Sequence, residues 1–283
     1  MAAAKTAFGL IAVAAAVVVL SVNNTFAKGT AGSVSAAKAR VVHVTAEDFK
    51  FDAPDEIPAG LVEFRFLNKG PALHHMTVLK LNGGKTVDDL RAALANPGPP
   101  PSWIKEIGGP NAVDPGLEGN ATMRLEPGNY ALICFVDIGG PPHFTKGMLR
   151  GLRVVPSKGA VGPAPKADVT VDLVDYSFKL SSPIRAGNRT IKVHNTGKQT
   201  HEIELIQLAP GATVPQLMAW LGKMEGPPPG KALGGIAGMQ TGMSEYFSAD
   251  FVPGNYVLIC FVPDAKDGKP HFAHGMVQQI TVK

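Results

Sequence analysis

One ten-residue segment occurs twice in this chain, as PGNYALICFV at Pro127 to Val136 and as PGNYVLICFV at Pro253 to Val262. The only two cysteines among the 283 residues, Cys134 and Cys260, lie in these segments, and each is followed by a histidine and then by a Gly-Met pair. The likeness spreads outward. Asp48-Phe49-Lys50-Phe51 returns as Asp175-Tyr176-Ser177-Phe178, Gly60 as Gly187, Asn68-Lys69-Gly70 as Asn195-Thr196-Gly197, His74 as His201 and Thr86-Val87 as Thr213-Val214, all at a spacing of 127. The spacing slips to 126 at the cysteines and 128 at the histidines and methionines that follow them, as loop insertions between fixed strands would cause. A repeat this long is a domain and not a solenoid unit, so the chain reads as a tandem duplication.

A length of 283 residues suits two domains, each with its own core, and a hydrophobic content of 45% excludes disorder. The net charge of +4 is spread without Lys/Arg runs or interleaved aromatics, so nucleic acid is not an expected partner. At the N-terminus Lys5 precedes an apolar run from Ala7 to Val22 and then Asn23-Asn24-Thr25-Phe26-Ala27. That order is the secretory signal pattern. We expect residues 1–27 to be a signal peptide cut after Ala27. The alternative is an uncleaved membrane anchor, since the run approaches the ~18 residues of a spanning helix. Either way the expected location of the body is periplasmic or secreted. In such an oxidising compartment two cysteines ordinarily suggest a disulfide. These two occupy equivalent places in different domains, so each is a ligand, a buried thiol or half of an intermolecular bond.

Residues 28–39 are rich in Gly, Ala and Ser and read as a flexible lead; residues 40–155 form the first expected domain, 156–167 a Pro- and Gly-rich linker and 168–283 the second. Short runs rich in Val, Ile, Leu, Phe and Thr, separated by Gly, Pro, Asn and Asp, predict strands joined by turns. They fall at Val41–Val44, Leu61–Leu67, His74–Leu81, Ala121–Leu125, Tyr130–Val136 and Leu149–Val155. The second half answers at Val169–Leu173, Thr190–His194, His201–Leu208, Tyr246–Phe251, Tyr256–Val262 and Met276–Val282. So many short strands predict an all-β fold with a Greek-key β-sandwich in each half. One short helix per half is predicted after Thr86 and after Thr213, each followed by a Pro-rich loop. This insertion is either a cap beside a functional site or an ordinary crossover.

Each half also collects soft metal ligands: His74, Cys134, His143 and Met148 in the first, His201, Cys260, His271 and Met276 in the second. Two imidazoles, a thiolate and a weak axial thioether are the inventory of a blue, type 1 copper centre. Zinc gains little from a thioether, and closed Cys/His sets suit it better. Cys134 and His143 are separated by eight residues and Cys260 and His271 by ten, while each His-to-Met gap holds four. A strand ending at Cys, a turn returning His and a Met opening the next strand place three ligands on one loop. His74 is preferred to His75 because it pairs with His201 in the repeat, whereas His75 pairs with Glu202. His43 and His194 read as ordinary strand residues, His274 as a surface residue with an accessory metal contact as the alternative, and Tyr130 and Tyr256 as core. Met218, Met224, Met239 and Met243 are gap-fillers or a copper-handling patch.

The pattern Gly128-x-Tyr130-x-x-x-Cys134…His143-x-x-x-Gly147-Met148, with Asn68-x-Gly70-x-x-x-His74 upstream, resembles the cupredoxin family of plastocyanin and azurin, and both repeats carry all of it. The resemblance implies two tandem cupredoxin-like sandwiches, two type 1 coppers per chain and one-electron transfer with a redox protein partner it does not identify. The longer Cys-to-His gap resembles the type 1 site of copper nitrite reductases. Those enzymes and the multicopper oxidases reach a catalytic copper through a His adjacent to the Cys. Here the neighbours are Ile133 and Phe135, and Ile259 and Phe261, so no enzyme is expected. The alternatives are copper storage or delivery, an enzyme whose further copper is held between subunits by His75, His194 or His274, and a metal-free sandwich.

Overall fold

The computed structural model describes residues 38–96, 98–138, 140–158 and 162–283. The expected signal peptide and residues 28–37 of the lead lie outside the described residues. No helix among the described residues is long and apolar enough to cross a membrane.

The strands of the first half are β1 (Arg40–Glu47), β2 (Lys50–Asp52), β3 (Glu56–Pro58), β4 (Gly60–Asn68), β5 (Thr77–Leu81), β6 (Ile104–Gly108), β7 (Glu118–Leu125), β8 (Gly128–Ile133) and β9 (Leu149–Val155), with helix α1 (Val87–Leu94) between β5 and β6. Those of the second are β10 (Val169–Val174), β11 (Ser177–Leu180), β12 (Gly187–Asn195), β13 (His201–Leu208), β14 (Gly230–Met239), β15 (Ser244–Phe251), β16 (Gly254–Ile259) and β17 (Val277–Val282), with α2 (Val214–Leu221) between β13 and β14. The protein is all-β, with two sandwiches.

Alternation explains one layer of each sandwich. In β1 Val42, Val44 and Ala46 point inward, and in β4 Val62, Phe64 and Phe66 do the same while Glu63 and Arg65 face out. Burying a side chain such as Phe64, which is fully enclosed, contributes roughly 1.5–3 kcal/mol. The strands order as β2-β1-β4-β7 in the first half and β11-β10-β12-β15 in the second, and β7 meets β15, so the two layers merge into one eight-stranded sheet. The facing layers stay separate, as β3-β9-β8-β5-β6 and β14-β13-β16-β17.

These facing layers read as near-continuous apolar runs because both of their sides are covered. Leu90 of α1 packs on Leu79, Leu81, Ala131 and Ile133, and Leu217 of α2 packs on Ile206, Leu208, Val257 and Ile259. The helical insertions therefore roof the outer face of each second sheet. Thr86 and Thr213 cap them as expected, each in a capping box closed by Asp89 or Gln216.

The halves touch along two lines. At the β7–β15 edge Thr122 pairs with Tyr246, and Asn120 and Ser248 exchange hydrogen bonds of 2.7 and 2.8 Å. Beyond β6, the segment from Gly109 to Asp114 runs against β14, with Asn111 N donating to Gly235 O (3.2 Å) and Ala237 N to Gly109 O (2.8 Å).

Candidate metal centre

Strand β8 stops at Ile133 and β16 at Ile259, so each cysteine is the first residue beyond its strand, at the end of the sandwich. The loop that follows is held by four backbone hydrogen bonds. Cys134 N donates to Met148 O (3.1 Å), Phe144 N to Cys134 O (2.9 Å), His143 N to Val136 O (2.9 Å) and Met148 N to His143 O (3.1 Å). Cys260, Phe272, His271 and Met276 repeat the set onto Met276, Cys260, Val262 and His271, at 3.2, 2.9, 2.9 and 3.0 Å. The two extra residues of the second loop are taken up between the Val262 and His271 anchors, where Asp264 N donates to Lys269 O. A single 3-10 turn carries each histidine and ends on Gly147 or Gly275 at φ of 112° or 102°, a left-handed conformation that glycine adopts without strain.

The distant histidine arrives through the Asn-x-Gly turn. Asn68 Oδ1 accepts from Gly70 N (2.9 Å), and its amide donates to Ala72 O and Val113 O; Asn195 does likewise with Gly197 N, Gln199 O and Met239 O. Glycine is required at the third position by close approach. A Cβ on Gly197 would stand 2.5 Å from both His201 Nε2 and Asp175 Oδ1, and one on Gly70 would stand 2.7 Å from His74 Nε2.

The structure brings together His74, Cys134 and His143 in one half and His201, Cys260 and His271 in the other, with one ligand atom from each lying within 4.8 Å of the others. His74 Nδ1 faces His143 Nδ1 at 3.1 Å, and Cys134 Sγ is 3.6 Å from the latter. In the second group the distances are 2.9 and 3.3 Å. Met148 and Met276 are fully buried, each beginning the chain's return from the same loop. Burial pushes the Cys134 thiol up to about 12 and Cys260 well above its usual range, and it lowers His74 and His143. Burial, then the neighbouring His201, brings His271 to about 4.

The polar partners decide what fits between these rings. His74 Nε2 faces Asp48 Oδ1 at 3.3 Å and His201 Nε2 faces Asp175 Oδ1 at 2.6 Å, so each carries its proton on Nε2 and turns a lone pair on Nδ1 inward. The opposing Nδ1 then supplies the proton between the rings, which leaves His271 Nε2 unprotonated. That atom is buried, has no hydrogen-bond partner among the described residues and lies 3.8 Å from the Asp264 carboxylate. A cation held between the rings would take both Nδ1 lone pairs, and the proton of His271 would then sit on Nε2, facing Asp264. Two inward imidazoles and a sulfur suit copper, and the residues present fit it.

Asp48 and Asp175 were not among the residues singled out by sequence, although both sit in the repeated Asp-aromatic pair. Their recurrence was the only available signal. The two centres are covered by different groups. Tyr176 lies 5.2 Å from His271, stacks on His274 and hydrogen-bonds to Asp264, which also accepts from Gln199. At the first, Phe49 stands at the equivalent place, 5.1 Å from His143, with Lys146 over its ring. His143 keeps 5% exposure and His271 none.

Of the remaining histidines, His43 is exposed on β1 and His194 lies beside Asp172 on β12, both away from these groups. His274 joins Asp264 and Asp267 on the rim. The four methionines are dispersed: Met239 is buried in the main core with Met243 packed against it, Met218 of α2 packs on the cluster around Leu217 and Met224 is exposed.

No family model and no curated protein matches the sequence. Among solved structures, auracyanin A, a "blue" copper protein from Chloroflexus aurantiacus, is 22% identical over 42% of this chain and 100% of its own, with a TM-score of 0.30. A blue copper oxidase from Nitrosomonas europaea is 17% identical over 87% of this chain and 86% of its own, at 0.27. A copper-containing nitrite reductase from Thermus scotoductus is 14% identical over 86% and 61%, at 0.22. Likenesses this loose carry no weight beside the geometry of the chain itself. Its repeated strand plan, with a Cys/His/His group at the same end of each half, is that of a two-domain protein of cupredoxin fold.

Proposed function

We propose that this protein holds two type 1 copper ions outside the cytoplasm and passes single electrons between redox protein partners. His74, Cys134 and His143, with Met148 as the weak axial donor, hold the first ion, and His201, Cys260, His271 and Met276 the second. The observation that carries this is the doubled convergence of two Nδ1 atoms and a buried sulfur on one point. Bound copper supplies a one-electron couple. The chain supplies a rigid loop, hydrogen-bonded in the same way in both halves, and carboxylates that orient His74 and His201. Because Ile133 and Phe135, and Ile259 and Phe261, flank the cysteines, no imidazole leads from either sulfur to a catalytic metal, which favours a carrier over an oxidase or reductase. Protein loaded with Cu(II) is expected to be intensely blue, and Cys134→Ser to remove about half of that absorption, since one of two thiolates is lost. A colourless loaded protein overturns the reading, and nitrite or phenol turnover overturns the carrier assignment.

A further inference from the structure

The segment from Gly109 to Val113 is buried and bonded on both of its sides. Toward the first half, Val113 N donates to His74 O and Met76 N to Pro110 O, both at 3.0 Å. Toward the second, Asn111 N donates to Gly235 O (3.2 Å), Ala237 N to Gly109 O (2.8 Å) and Asp114 N to Ala232 O (3.1 Å), so the segment lies along β14, the edge strand of its sheet. The Asn111 side chain reaches further, donating to Ile203 O (3.3 Å) and Ile236 O (3.4 Å).

Two amides of this segment end on carboxylates of the second half. Gly109 N donates to Glu245 Oε2 (3.1 Å) and Ala112 N to Glu204 Oε2 (2.9 Å). The carboxylates arrive from different strands, β15 and β13. Glu204 pairs with Gly235 in the ladder, and it crosses β14 where Gly234 and Gly235 carry no side chain to block it. Glu245 ends under Gly108, where a Cβ would stand 2.4 Å from Oε2. Glu204 is 3% exposed and Glu245 not at all, and Oε1 of each has no hydrogen-bond partner among the described residues.

No cation offsets either group. The charges that act on Glu204 are Glu202 on its own strand and Asp114 at the end of the segment, both acidic, and none acts on Glu245. On the strands around them, Lys192 and His194 flank Val193, the ladder partner of Glu245, and so lie on the other face of β12. Lys105 of β6 is exposed, Glu106 lies beside Gly238, and Lys231 pairs with Gln207 near the start of β14. A backbone amide or two does not replace the water that an ionised carboxylate loses on burial, so desolvation decides. Burial holds both carboxyls well above their ordinary range, and at Glu204 the neighbouring Glu202 and Asp114 add to it.

We propose that Glu204 and Glu245 are a proton-operated clasp between the two halves: with both carboxyls neutral the Gly109–Val113 segment is held on β14, and loss of their protons releases it. Each carboxyl gives one proton to water and no other bond breaks. Release lets water reach the carboxylates and favours their charged form. The held form therefore binds protons more tightly than the released one, and rising pH shifts the balance toward release. The clasp needs no bound metal and stands apart from the copper reading.

The test follows amide hydrogen exchange of the full chain by NMR between about pH 5 and pH 8, above the usual range of an exposed carboxylate. Each rate is divided by its unstructured value at the same pH. Protection at Gly109 and Ala112 is expected to fall by about tenfold per pH unit for each carboxyl still able to ionise. The fall is therefore steepest in the unaltered chain, shallower in Glu204→Gln or Glu245→Gln and absent in the double variant, while amides of β8 and β16 keep their protection. Protection at Gly109 and Ala112 that stays level in the unaltered chain, that falls as steeply in the double variant, or that falls equally in β8 and β16 overturns the clasp. The first and last of these are read on the unaltered chain alone, so a variant that does not fold cannot hide them.

Discussion

The Asp48 and Asp175 carboxylates do the least conspicuous and most testable work at the centres. Each holds the first histidine by Nε2, which turns Nδ1 toward the opposite ring, and the Asn-x-Gly turn leaves room for that pair. Asp175→Asn is expected to lower copper affinity of the second site by about 10- to 100-fold, the usual loss when an outer partner of a metal ligand is removed. Competition titration of the Cys134→Ser protein measures it, since only the second site remains there. The site was legible in part at this level. Cys134, His143 and Met148 share one loop with telling spacing, and His74 was separable from His75 by the repeat, but Asp48 was not. A carboxylate on a neighbouring turn meets its histidine only after the strands have paired, and nothing local marks it.

Helices α1 and α2 show how local chemistry and packing agree. Their capping boxes were readable from Thr86 and Thr213, and their apolar faces lie on the outer sides of β5–β8 and β13–β16. Thr86→Ala removes the cap and is expected to cost about 1 kcal/mol, seen as a lower denaturant midpoint with an unchanged slope. The short strands β2, β3 and β11 were missed, and so were β6 and β14. In β14, Gly230, Gly234 and Gly235 dilute the apolar signal that marks a strand, and they stand where a Cβ on Gly235 would meet Ile203 O at 2.1 Å. Such close backbone approach is a property of the assembled sheet.

The joining of the halves introduces buried charge that composition conceals. Glu245 of β15 is fully buried, its Oε2 accepting from Gly109 N of the other half (3.1 Å) and its Oε1 without a partner among the described residues. Burial raises its pKa well above the ordinary carboxylate value. The folded state therefore binds the proton more tightly than the unfolded chain, so this group's stabilising contribution is full below its unfolded value and declines as pH rises above it. Glu245→Gln keeps the acceptor without the charge, and its stability relative to the unaltered protein is expected to grow from pH 5 to pH 8. Chemical denaturation of both proteins across that range measures the difference, and parallel curves contradict the assignment.

Duplication, most of the strands, the helix caps and the candidate ligands on each loop are properties of short windows or of windows compared with each other, and the amino-acid order alone pointed to them. The carboxylate behind each first histidine, the differing covers over the two centres, the shared eight-stranded sheet and the seating of Asn111 on Ile203 O and Ile236 O were decided by tertiary structure. Each needs groups far apart in the chain to meet across a sandwich or between two of them. Such contacts follow from how whole sheets pack, and repeated letters do not encode them: the same repeat places His75 in one half and Glu202 in the other, and only the packing shows the first accepting from Phe135 N and the second from Phe261 N.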